Sequence, residues 1–232
     1  MLAKINIICY ICKANQQENN CMMDVSLDLM SFVETNILPK YTAFGHSHGL
    51  GHVQRVIANS LMLARRLGAD INMVYAIAAY HDLGMSGPRA IHHVTGGKIL
   101  AADARLRKWF SPTQISIMKE AVEDHRASAS HEPRSIYGKI VAEADRDLDP
   151  EVVFTRAIEY GFEHQPQLDK EGQWKRFCAH MEEKYSARGY IKLWIPNSPN
   201  EEKIREVRAT IADPARLRSI FERIWDVVAK QS

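Results

Sequence analysis

The amino-acid sequence predicts an all-α fold, a compact helical bundle. Apolar residues recur at the three-to-four spacing of a helix along most of the chain, and no stretch alternates as a half-buried strand does. Asp70, Ser111-Pro112, Asp149-Pro150 and Asp213-Pro214 read as helix starts, and Gly68 reads as a helix stop. No heptad is sustained, which excludes a coiled coil, and no internal repeat or low-complexity tract is present.

Element by element, the stretch from Asp24 to Ile37 carries Val25, Leu29, Phe32, Val33 and Ile37 on one side. A Gly/His-rich turn from Phe44 to Gly51 then leads into a long helix. Its stripe is Val53, Val56, Ile57, Ser60, Leu61, Ala64 and Leu67, closed by Gly68. The helix capped by Asp70 is expected to run to Asp82 and stop at Gly84, and another to run from about Ile91 to Leu106. After Ser111-Pro112, Ile115, Met118, Val122 and His125 share a face. Further helices are expected from Ser135 to Leu148, Glu151 to Tyr160 and Trp174 to Arg188. Two more follow the turn from Ile195 to Pro199 and the Asp213-Pro214 break.

A length of 232 residues suits one domain with a sizeable core. The expected division is an N-terminal extension over residues 1–23, disordered or extraneous to the fold, and a single all-α domain over 24–232. Within that domain a core spans about 44–150 and the C-terminal helices 151–232. The net charge of +2 gives no strong nucleic-acid signal, and Arg65-Arg66 and Arg105 to Lys108 read as solvated helix faces. Three of the four cysteines, Cys9, Cys12 and Cys21, crowd the first residues, so they do not staple the whole chain. Cys9 to Cys12 is a CxxC without a second pair. The apolar start, Leu2 to Cys12, is too short to span a bilayer and lacks a signal-peptide cleavage site. A cytoplasmic protein, with no membrane partner, is the expectation.

Four residues stand out because they are polar groups on or beside otherwise apolar stripes: His52, His81, Asp82 and Asp145. Val74, Ile77, Ala78 and His81 share one helical face with Asp82 adjacent, and Ile140, Val141 and Ala144 lead into Asp145. Burying a carboxylate costs several kcal/mol unless positive charge meets it, and a cation would meet both at once. Two aspartates with imidazoles suit a divalent transition metal: Mn, Fe, Ni, Co or Zn. His93, with Gly97, Leu100 and Ala104 at helical spacing, and His125 offer donors for a second ion, with His92 competing for the first of these roles. His48 is expected in the pocket or behind the ligands. Arg55, one turn after His52, and Arg126, beside His125, are candidates to neutralise a phosphate, as is Arg89 in the loop before His93.

His52, His81-Asp82 and Asp145, in that order, resemble the H…HD…D signature of the HD-domain metal-dependent phosphohydrolase superfamily. The contexts His48-Gly-Leu-Gly-His52-Val-Gln-Arg55 and Ala78-Ala-Tyr-His81-Asp82-Leu-Gly84 strengthen the likeness, which covers roughly residues 44–150. The resemblance implies a bundle of the HD-domain type and one or two metal ions held by His52, His81, Asp82 and Asp145, with His93 and His125 added for the second. It implies a hydrolase that cleaves a phosphate ester, such as a nucleotide, by attack of a metal-bound water. Asp82 then acts as catalytic residue with Arg55 and Arg126. Met85 stands where some binuclear cyclic-dinucleotide members have lysine, and the Glu-Asp pair of the guanosine tetraphosphate hydrolases is not evident. Both argue against those substrates. Two alternatives stay open: a diiron oxygenase of the same superfamily, which uses six such ligands, and a non-catalytic nucleotide-binding sensor. The expected partner is a small phosphorylated substrate, and a homodimer is compatible with the sequence.

Overall fold

Ten α-helices and no strand make up the described residues of the computed structural model, which are 25–45, 48–129 and 131–230. The all-α expectation holds. The expected N-terminal extension and the CxxC pair lie outside the described residues. The chain divides into two compact units, one ending at Asp145 and the other beginning at Arg146.

The first unit contains α1 (Leu27–Asn36), α2 (Leu50–Leu67), α3 (Ile71–Tyr80), α4 (His92–Ala102), α5 (Pro112–Asp124) and α6 (Ile136–Asp145). Of the expected α2 stripe, Val53, Val56, Ile57, Ser60, Leu61 and Ala64 are fully buried, whereas Leu67 in the last turn is exposed. Gly68 ends that helix at φ 66°, a left-handed conformation that glycine adopts without a Cβ penalty, and its N–H reaches the carbonyls of Ala64 and Arg65. The Asp70 carboxylate accepts the N–H groups of Asn72 and Met73 and so starts α3. Every α3 residue from Met73 to Tyr80 is buried, and the helix packs against α1, α2, α4, α5 and α6. It is the centre of this unit, and Ala76, Ala78 and Ala79 leave room for its neighbours. Ser111 and Gln114 form a reciprocal capping box on α5, with Pro112 in the first turn.

The sequence predicts that the α3 helix continues to Asp82, but it stops at Tyr80. Side chains take the carbonyls that the next helical N–H groups need. His81 Nδ1 lies 2.7 Å from the Ala78 carbonyl, and the Tyr41 hydroxyl donates to the Ala79 carbonyl at 3.0 Å. The Asp82 N–H donates to the Tyr41 hydroxyl instead. The chain therefore leaves the helix at the two residues whose side chains form the site. Similarly, α4 ends at Ala102 rather than near Leu106, because Asp103 caps a 3₁₀ turn over Ala104–Lys108 through the Arg105 N–H. The α6 helix ends at Asp145, three residues early.

The second unit contains α7 (Pro150–His164), α8 (Lys170–Tyr185), α9 (Asn200–Ile211) and α10 (Pro214–Val228). Asp149, Asp169 and Asp213 cap α7, α8 and α10 through their carboxylates. Its core is aromatic. Phe177 lies 6.1 Å from Phe154 and 5.4 Å from Phe221, ring centre to ring centre, and Trp174 lies 5.1 Å from Phe221. No helix among the described residues is long and apolar enough to cross a membrane.

Candidate metal centre

Three helix ends converge on Asp82. His52 projects from the first turn of α2, His81 and Asp82 follow α3, and Asp145 closes α6. His52 Nε2 lies 3.1 Å from His81 Nε2, 3.2 Å from Asp145 Oδ1 and 3.4 Å from Asp82 Oδ2. His81 Nε2 lies 3.4 Å from Asp82 Oδ2 and 3.7 Å from Asp145 Oδ1. The four expected ligands are together. The other Asp82 oxygen, Oδ1, lies 3.5 Å from His125 Nε2 and 3.6 Å from His92 Nε2, and those two nitrogens are 3.2 Å apart. Asp82 thus joins two donor groups, one through each oxygen. His48 adds its Nδ1 to Oδ2 at 2.8 Å.

His93 is the correction. Of the expected inward stripe, His93, Gly97 and Leu100 lie in α4 while Ala104 falls in the following turn and is exposed, and the stripe faces α5: a Cβ on Gly97 would press on Glu123 and the Lys119 carbonyl. One residue earlier, about 100° around the helix, His92 and Gly96 face the His81-Asp82 turn, where a Gly96 Cβ would lie 3.0 Å from the His81 carbonyl. His93 lies outside the donor groups, with a buried Nδ1 that has no hydrogen-bond partner. Gly84 permits this packing, because a Cβ there would overlap the His92 carbonyl.

The donor set fits a divalent ion. Ligand atoms held at about 2.1 Å lie roughly 3.0 Å apart at right angles and roughly 3.4 Å apart in a tetrahedron, near the separations seen here. Orientation fits as well. His81, His92 and His125 each place Nδ1 at 2.6–2.7 Å from the carbonyl three residues earlier, those of Ala78, Arg89 and Val122. A carbonyl only accepts, so the proton sits on Nδ1 and the Nε2 lone pair is turned into the site, as second-shell contacts do for metal-binding histidines.

The electrostatics describe a site balanced by protons where it lacks an ion. Burial opposes the charge on His52, but hydrogen bonds to Asp145 and Asp82 outweigh it and push the imidazole up to about 9. Burial also opposes the charge on Asp82, and the His81 charge with hydrogen bonds from His125, His48 and His52 hold its carboxyl well below the usual range. Asp145 is lowered in the same way, burial being outweighed by His52 and His81. His92 is pushed down to about 4 by burial and by the neighbouring His125. The two carboxylates and the imidazoles around them form a cluster that a cation would stabilise in place of protons.

Of the expected phosphate-binding arginines, Arg55 places Nη2 at 3.2 Å from His52 Nδ1, at the edge of the site. Arg126 donates to the Ala90 carbonyl at 2.6 Å and so ties the end of α5 to the loop before α4. The exposed Arg89 contributes its carbonyl to His92. Two contributors escaped the sequence reading. Fully buried Tyr41 holds the His81-Asp82 turn, and burial together with the Asp82 charge raises its phenol well above the ordinary value. Buried Asp124 accepts from the Arg134 backbone and guanidinium, which clasps the segment after His125. Tyr41 has no periodic relation to the site, whereas the alignment of His92 with Gly96 was a readable signal. Residues 49–148 match the family model described as HD domain. No curated protein and no solved structure matches the chain.

Proposed function

Because residues 49–148 match the HD-domain family model, we propose that this chain is a phosphohydrolase that uses two divalent metal ions to cleave a small phosphate ester, a nucleotide among the candidates. The observation that carries the reading is the Asp82 carboxylate, with Oδ2 among the His52, His81 and Asp145 donors and Oδ1 between His92 and His125.

Bound divalent ions supply Lewis acidity to a phosphoryl oxygen and make a water nucleophilic at neutral pH. The side chains do the remaining work. His52, His81, Asp145 and Asp82 Oδ2 would hold one ion, and His92, His125 and Asp82 Oδ1 would hold the other. Asp82 belongs to both donor groups, so its side chain would help to hold either ion. Arg55 offers a guanidinium beside His52 to a phosphate oxygen. His48, tied to Asp82 through Nδ1 and partly open to solvent, is the group placed to pass a proton to the departing oxygen. With four imidazoles and two carboxylates, the same donors also suit the diiron oxygenase chemistry raised by the sequence.

The experiment is a screen of phosphate monoesters and diesters against protein loaded with Mn²⁺, Ni²⁺, Zn²⁺ or Fe²⁺, reading phosphate release and oxygen consumption. Phosphate release that vanishes in His81→Ala supports the reading. Oxygen consumption with iron and no phosphate release selects the oxygenase, and full phosphate release after chelation overturns the metal-dependent mechanism.

A further inference from the structure

The C-terminal unit contains a cavity of about 650 Å³, within the range of small-molecule sites. Its residues belong to the irregular stretch after α8 and to α9, and none is a donor of the metal centre. Ile191, Lys192 and Trp194 line it from the irregular stretch, and Glu201, Arg205 and Arg208 from the helix.

The charge of this lining is unbalanced. Several arginines of the same unit are neutralised: Arg218 by Glu171 and Glu222, Arg223 by Glu151, and Arg216 by Glu206. Lys192 and Arg205, both exposed, meet no carboxylate among the described residues. Arg208 is tied to the Tyr185 and Ile191 carbonyls at 3.3 Å each, which fixes the guanidinium without cancelling its charge. Glu201 is the one acid in the lining, and its carboxylate already accepts the Asn197 N–H at 2.8 Å. Three cations therefore share a cavity with a single engaged acid, which favours an anion with several acceptor oxygens. The indole of Trp194 and the side chain of Ile191 beside them favour a flat apolar ring.

We propose that this cavity binds an aromatic phosphate of the nucleoside monophosphate class, with its ring against Trp194 and its phosphate on Lys192 and Arg205. The site is independent of the metal centre, so it stands or falls separately from the hydrolase reading. The test is equilibrium dialysis of the full-length, metal-stripped protein in chelator with AMP as the probe. One AMP should bind per chain, and the double variant Lys192→Ala/Arg205→Ala should weaken it by about tenfold or more. Asp82→Ala should leave it unchanged, and adenosine and inorganic phosphate should each compete less well than AMP. Both substituted side chains are exposed, and circular dichroism checks that the helices persist. Absence of AMP binding, unchanged affinity in the double variant, or loss of binding in Asp82→Ala overturns the proposal.

Discussion

His92 and His93 are neighbours in sequence separated by one helical step, which makes them a control for each other. His92→Ala removes a nitrogen 3.2 Å from that of His125 and 3.6 Å from Asp82. It should lower the bound metal from two ions per chain towards one, while His93→Ala should leave the content unchanged. Elemental analysis of the reconstituted proteins checks this, and equal losses in the two variants would contradict the assignment. At this scale the sequence was legible where chemistry and burial conflict. His52, His81, Asp82 and Asp145 are visible because polar groups interrupt or adjoin apolar stripes. His93 misled because its stripe is real but serves the contact with α5, and periodicity does not say which neighbour a face meets. Tyr41 was invisible for a different reason: a buried aromatic looks like core, and its hydroxyl partners lie 38 and 41 residues away.

At the scale of elements, the site depends on how α3 ends and how closely α4 approaches that end. Tyr41→Phe keeps the ring but strips partners from the buried Ala79 carbonyl and Asp82 N–H. It should cost about 1–3 kcal/mol in urea unfolding of the metal-free protein and weaken metal affinity. A variant as stable as the parent would show that the turn is held otherwise. Gly84→Ala forces α4 away, because the added Cβ overlaps the His92 carbonyl. The His92 and His125 seat should be lost before the His52 and His81 seat, read as a drop in metal stoichiometry with helical content retained. The helix starts were legible, since Asp70, Ser111, Asp149 and Asp213 cap as expected. Helix ends were less so, because the carbonyls at the end of α3 are claimed by side chains that are remote or turn back on the helix.

For the molecule as a whole, proton and metal compete for the same charge cluster, and this sets a pH dependence. The folded value of His52, about 9, lies above its ordinary 6.5. Its stabilising contribution in metal-free protein is complete below pH 6.5 and is lost as pH rises through 9. Asp82 and Asp145, both depressed, contribute above the ordinary carboxylate range and lose that contribution on acidification. His92, pushed down to about 4, disfavours the fold only as pH falls below 6.5. In the window from about pH 6.5 to 9, metal-stripped protein should therefore lose stability as pH rises. Metal-loaded protein should hold its stability, since the ion displaces the His52 proton. Thermal unfolding of both forms across that window checks the sign, and parallel curves would contradict it. The division after Asp145 carries no compositional mark, because residues 146–149 contain neither glycine nor proline. The cationic cavity of the second unit is equally unmarked, since its charges come together only when α9 packs beside the stretch after α8.

The link between the two donor groups is one carboxylate, so the most direct measurement is the metal content per chain of the parent and of Asp82→Asn after identical Mn²⁺ reconstitution. Two ions in the parent and near-complete loss in the folded variant is the expected result. An Asp82→Asn protein that retains two ions would contradict it.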